Sequence, residues 1–147
     1  MEQSRAQKIL GILGNIDLIL AVVEIIFGIL LILGLNLASS DQVVSQEVNN
    51  LGGELYFMFG KMLVGAILLI LEWRALRNLS QDATKYQPAW ILTLLLLAFE
   101  LFNFITNLGK GATRNLVSVS LSVVVGLIAL YLINGIRIHS KKNQQGA

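Results

Sequence analysis

Four stretches of this chain are each long and apolar enough to cross a bilayer, and nothing else in the sequence constrains the fold so tightly. A helix traversing about 30 Å of hydrocarbon at about 1.5 Å per residue needs roughly 20 mainly apolar residues. Residues 12–37, 55–76, 89–108 and 116–138 meet that requirement. Of the 147 residues, 55% are hydrophobic and 14% charged, with a mean hydropathy of +0.71. An ordinary soluble domain is about a quarter charged, so too little polar sequence remains here to build a water-facing exterior. The expected fold class is an all-α integral membrane protein: one domain over residues 1–147, folded as an antiparallel four-helix transmembrane bundle.

Arg5 and Lys8 before the first stretch and Ala38-Ser39-Ser40 after it resemble the flanks of a signal peptide. The apolar run exceeds the usual length of about 7–15 residues, and Asp17 and Glu24 interrupt it, so it reads as a retained span.

Orientation follows from arginine and lysine, which cytoplasmic segments collect. Arg5, Lys8, Arg74, Arg77, Lys85, Arg137, Lys141 and Lys142 fall on one side, against only Lys110 and Arg114 on the other. Both termini are therefore expected in the cytoplasm, with the chain in the plasma membrane. Trp73, Tyr86 and Trp90 would line the same interface. The net charge of +2 reflects this topology; the bases form no single patch that would suit nucleic acid.

In the first connection, Ser39 and Gln42 have the spacing of a capping box, Val44, Val48 and Leu51 share a face, and Gly52-Gly53 would stop a helix. A short amphipathic outer helix is expected there. Pro88 suits the first turn of span three, where its missing N–H is not needed. Gly109-Lys110-Gly111 makes the last connection a tight hairpin.

Each span carries one small or polar stripe, the kind of face through which membrane helices associate. In span one it comprises Gly14, Asp17, Ala21, Glu24 and Gly28, at steps of three and four. Span two offers Gly60, Lys61 and Gly65; span three Thr93, Glu100, Asn103 and Asn107; span four Ser118, Ser122, Gly126 and Asn134. Gly14, Ala21, Gly28, Gly60, Gly65, Ser118, Ser122 and Gly126 are the expected packing residues.

Glu24, Lys61 and Glu100 stand out because a charge at mid-bilayer costs at least roughly 2.5–3.5 kcal/mol. Counted from the outer ends of their spans, Lys61 and Glu100 share a depth, so an ion pair between them is expected, with Asn103 and Asn107 on the Glu100 face. Glu24 lies deeper, leaving a surplus acid in the polar set of Glu24, Lys61, Glu100, Asn103 and Asn107. Asp17, nearer the cytoplasmic boundary, is expected to reach water or Arg74.

Other chemistry finds little to work with. The chain has no cysteine, and its single histidine, His139, sits in the basic tail. Neither a metal site nor a haem, iron–sulfur or nucleophilic triad can be assembled from this inventory. Gly11, Gly14, Gly28 and Gly34 form no phosphate-cradling motif. No cofactor and no enzymatic activity are expected.

A glutamate within the first of four apolar spans resembles the small multidrug resistance transporters, and the resemblance implies Glu24 as a proton site coupled to cationic compounds. It covers one residue and a span count. This chain is longer, has an extended first connection and carries Lys61 and a second membrane acid. Claudin- and tetraspanin-type proteins share the span count but have outer-loop cysteines, which are absent here. No family is recognised on these residues.

Two functional expectations follow. The first is a non-enzymatic accessory, regulatory or immunity-type subunit that associates with another membrane protein or with copies of itself, surrounded by membrane lipid. The second is an oligomeric proton- or cation-coupled small transporter or channel, using Glu24 and Glu100 with Lys61 as counter-charge.

Overall fold

The fold was taken from a computed structural model, which describes residues 3–39, 45–108 and 113–145, with side chains described for 4–37, 52–106 and 122–140. The described residues form helices only: α1 (Gln3–Ser39), α2 (Ser45–Gln81), α3 (Tyr86–Leu108) and α4 (Thr113–Gln145). Each contains a stretch that satisfies the length and hydropathy of a membrane crossing: Ser4–Leu37, Gly52–Gln81, Tyr86–Thr106 and Ser122–Ser140. In lipid every backbone N–H and C=O must be satisfied within the protein, and a helix does this within one segment. Large side chains such as Ile12, Ile19, Phe27, Leu37 and Ile105 are more than half exposed. In water such a surface would aggregate; in a bilayer it is solvated by acyl chains.

The α2–α3 connection is built by one residue. Asp82 donates its backbone N–H to Asn78 O at 2.9 Å, closing the last turn of α2, and its carbonyl accepts Lys85 N–H at 3.1 Å. The Asp82 side-chain oxygen Oδ1 accepts both the backbone N–H (3.0 Å) and the hydroxyl (2.7 Å) of Thr84. These bonds, the Thr84 hydroxyl foremost, hold the Asp82 carboxyl below its ordinary pKa. Pro88 falls in the first turn of α3, as its chemistry requires.

The first connection differs from expectation. Helix α1 continues to Ser39, so Ser39 is not an N-cap, and α2 is already helical at Ser45 and runs unbroken through Gly52-Gly53. Nothing lies within 4 Å of a Cβ built at either glycine. Glycine weakens a helix by only about 1 kcal/mol and stops one only where the backbone turns left-handed. The separate outer helix is therefore replaced by an extension of α2. Ser40, Asp41, Gln42, Val44 and the Gly109-Lys110-Gly111 hairpin lie outside the described residues.

Helix α1 packs on α2 and α4, and α3 packs on α2 and α4. Gly11 meets Ser80, Gly14 meets Leu76 and Trp73, and Gly28 meets Phe59, so residue numbers fall along α2 as they rise along α1. Gln7 fastens this register by donating to Leu79 O at 3.1 Å. The main apolar core, around Leu10, Leu76, Leu79, Ile133 and Ile136, occupies the end that holds the α2–α3 turn. A smaller cluster of Ala21, Ala66 and Leu69 lies further along the seam.

Candidate functional site

Between and beyond these two apolar clusters lie two layers, each with two carboxyl side chains, spaced one heptad apart on three helices. The first consists of Asp17 on α1, Glu72 on α2 and Thr93 on α3, which are only 5%, 2% and 1% exposed. The Thr93 hydroxyl donates to Glu72 Oε1 at 2.6 Å, and the carboxylates of Asp17 and Glu72 are close enough to interact electrostatically. The second layer consists of Glu24, Gly65 and Glu100, each seven residues along its helix from a member of the first. Seven residues are about 10 Å of helix, nearly two whole turns, so both layers fall on the same face of each helix.

The absent side chain at Gly65 makes room for Glu24. A Cβ built there would lie 2.8 Å from Glu24 Oε2 and 3.3 Å from Phe99 Cε1. Glu24 and Glu100 are close enough to interact electrostatically. Glu24 Oε2 and Asn103 Oδ1 are buried and accept no hydrogen bond from the described residues. A buried acceptor left unpaired costs about 1–3 kcal/mol, so this layer is energetically unfinished.

Lys61 does not supply the missing donor. Its Nζ donates to Thr106 Oγ1 at 3.0 Å and stands over the rings of Phe57 (5.2 Å) and Phe102 (5.3 Å). Thr106 in turn donates to Asn103 O at 3.0 Å. Among the described residues the ion pair found is Lys85 with Asp82, at 3.8 Å on the surface, so the expected Lys61–Glu100 bridge is not formed. The reason is register: Gly65, four residues after Lys61, sits at the level of Glu24 and Phe99, which carries Lys61 about one turn past Glu100. Depth counted from the span ends misses this because α2 begins at Ser45, ten residues before the expected boundary at Leu55.

Asp17 also departs from expectation. It is buried beside Glu72, while Arg74 is exposed and forms no ion pair among the described residues. Glu72 itself was not singled out by its sequence context, because a glutamate next to Trp73 at the end of an apolar run reads as interfacial. The available signal was its seven-residue spacing from Gly65, which places both on one face.

Of the expected packing residues, Gly14, Ala21, Gly28 and Gly65 are buried. A Cβ at Gly126 would lie 2.9 Å from Leu97 Cγ. Gly60 is different: it is exposed, with nothing within 4 Å of a Cβ position, so it packs against no neighbour among the described residues. Ser122 is half-buried. At the other end, the Arg77 guanidinium carbon lies 5.7 Å from the centroid of the Trp73 ring and that of Arg137 5.8 Å from the centroid of the Trp90 ring. Lys85 is exposed. The side chains of Asn107, Ser118, Lys141 and Lys142 lie outside those described.

No family model, curated protein or solved structure matches this chain. The chain is a small multi-pass membrane protein with four apolar helices among the described residues. Groups of three or more histidine, cysteine or carboxylate side chains able to hold a metal are absent among the described residues.

Proposed function

We propose that the chain is a non-enzymatic, antiparallel four-helix bundle in the plasma membrane, with both termini cytoplasmic, that works by association as an accessory, regulatory or immunity-type subunit. The observation that carries this reading is the unfinished seam beyond the Glu24–Gly65–Glu100 layer. From residue 29 on α1, before Gly65 on α2, after Leu97 on α3 and before Ala129 on α4, no described side chain is fully buried. The unmet acceptors lie at the edge of this seam: Glu24 Oε2 within the last packed layer, beside Gly65, and Asn103 Oδ1 about one turn past Glu100 on α3. A helix bearing hydrogen-bond donors, from another membrane protein or a second copy, would satisfy them, and in lipid such polar contacts hold helices together.

The test is to purify the protein in mild detergent after cross-linking in membranes, and to compare native protein with Glu24→Gln and Asn103→Leu by native mass spectrometry. The native chain should carry a partner or a second copy, and Asn103→Leu should lose it. A strictly monomeric native chain overturns the reading.

A second reading rests on a separate observation: Glu24 and Glu100 are close enough to interact electrostatically, and neither forms an ion pair among the described residues. Two neighbouring acids in a membrane interior suit a proton- or cation-coupled transporter or channel, with Glu24 and Glu100 titrating. Vesicles carrying an imposed pH gradient distinguish the two readings. Proton flux abolished by Glu24→Gln and Glu100→Gln supports transport, and its absence in the native protein eliminates it.

A further inference from the structure

At the end of the molecule away from the unfinished seam, α3 and α4 enclose a cleft of about 250 Å³ lined by Tyr86, Gln87, Trp90, Ile91 and Arg137. We propose that this cleft binds the headgroup phosphate of an anionic phospholipid. The inference needs only that the chain sits in a membrane and is independent of the association reading.

Position argues first. Tyr86 is the first residue of the membrane-crossing stretch of α3, and Arg137 on α4 is followed within two residues by the polar run His139-Ser140-Lys141-Lys142. The cleft therefore opens at the level where headgroups meet acyl chains, the depth at which tyrosine, tryptophan and arginine are favoured.

Lining chemistry argues second. The cleft offers the Arg137 guanidinium, the Tyr86 hydroxyl and the Gln87 amide, and it contains no carboxylate. Arg137 forms no ion pair among the described residues, and its guanidinium carbon lies 5.8 Å from the centroid of the Trp90 ring, within cation–π range. This contact leaves N–H groups of the fork to grip phosphate oxygens two at a time, which lysine cannot do. The nearest acid along the chain, Asp82, is already engaged by Thr84 and Lys85. The N-terminal end of the 23-residue helix α3 adds positive potential on the same side.

A free anion would need only the polar groups. Ile91, exposed beside Trp90, gives the cleft an apolar exit toward the lipid-facing surface, where an acyl chain would run. This feature favours a phospholipid over soluble phosphate.

The test uses the full chain in detergent, delipidated and then titrated with phosphatidylglycerol, phosphatidylcholine or inorganic phosphate. Binding is read by native mass spectrometry, and thermal stabilisation is followed in parallel. Phosphatidylglycerol should bind about tenfold more tightly than phosphatidylcholine, a difference of about 1.4 kcal/mol. Arg137→Gln should abolish the preference and Tyr86→Phe should reduce it. Arg77→Gln, which removes the other arginine in cation–π range of a tryptophan, should leave it intact. If Arg137→Gln fails to elute as folded protein, Tyr86→Phe and Arg137→Lys carry the test, both expected to weaken the preference. Equal binding of the two lipids, or a preference surviving all three cleft variants, overturns the proposal. So does full competition by millimolar inorganic phosphate, which would make this a site for free anions.

Discussion

Glu24 and Gly65 fit together as a side chain and the space left for it: a single methyl group on Gly65 would come within 2.8 Å of Glu24 Oε2. The acid on α1 can occupy the seam only because α2 has no side chain at that position. Gly65→Ala should therefore destabilise the protein by about 1–3 kcal/mol, the usual cost of overpacking. Because the clash is with the end of a flexible side chain, adding Glu24→Ala should recover most of the loss. Thermal unfolding in detergent, run as a double-mutant cycle, measures this; strictly additive effects would separate the two residues.

Gly126 meets a stiffer neighbour. A Cβ there would lie 2.9 Å from Leu97 Cγ and 3.2 Å from its Cδ2, and Leu97 is itself buried. Gly126→Ala is expected to cost about 1–3 kcal/mol with no single compensating change. Gly34→Ala and Gly60→Ala, where nothing lies within 4 Å, should be neutral or stabilising by up to about 1 kcal/mol through the helix preference of alanine. Melting curves of the three variants should separate in that order.

The buried hydroxyl of Thr93 exists to serve Glu72. Thr93→Val keeps the shape but leaves Glu72 Oε1 without its donor, at a cost of about 1–3 kcal/mol. Thr93→Ser, which keeps the hydroxyl, should retain most of the stability. Equal unfolding temperatures for Thr93→Val and the native protein would mean that the bond contributes nothing.

Lys61 should be energetically coupled to Thr106 and not to Glu100. A cycle of Lys61→Met with Thr106→Val is expected to show about 0.5–1.5 kcal/mol of coupling, the net worth of one hydrogen bond. The same cycle with Glu100→Gln should give a coupling within about 0.5 kcal/mol of zero. The reverse pattern would restore the ion pair that sequence depth alone suggests.

The turn at Asp82 carries a pH dependence of known sign. Its carboxylate is held below the ordinary pKa by Thr84, so it stabilises the fold above the ordinary aspartate value near 3.8 and loses that contribution as acidification protonates it. Thr84→Val should flatten this acid limb of the stability profile without changing helix content, as circular dichroism across the pH series will report.

What the sequence alone determined is the class of molecule: among the described residues helices only, with four stretches fit to cross lipid. These properties are local. Hydropathy over about 20 residues and spacing by three and four are written into a single segment and need no neighbour to be read. The tertiary structure decided which polar groups meet. It gave Lys61 to Thr106, drew Asp17 and Glu72 into the interior together, carried α2 through Gly52-Gly53, and left Gly60 without a packing neighbour among the described residues. Which polar groups meet depends on the register between helices, which the close approaches at Gly14, Gly65 and Gly126 fix. A slip of one turn, about 5.4 Å, changes every polar partner while leaving the hydropathy of each helix untouched.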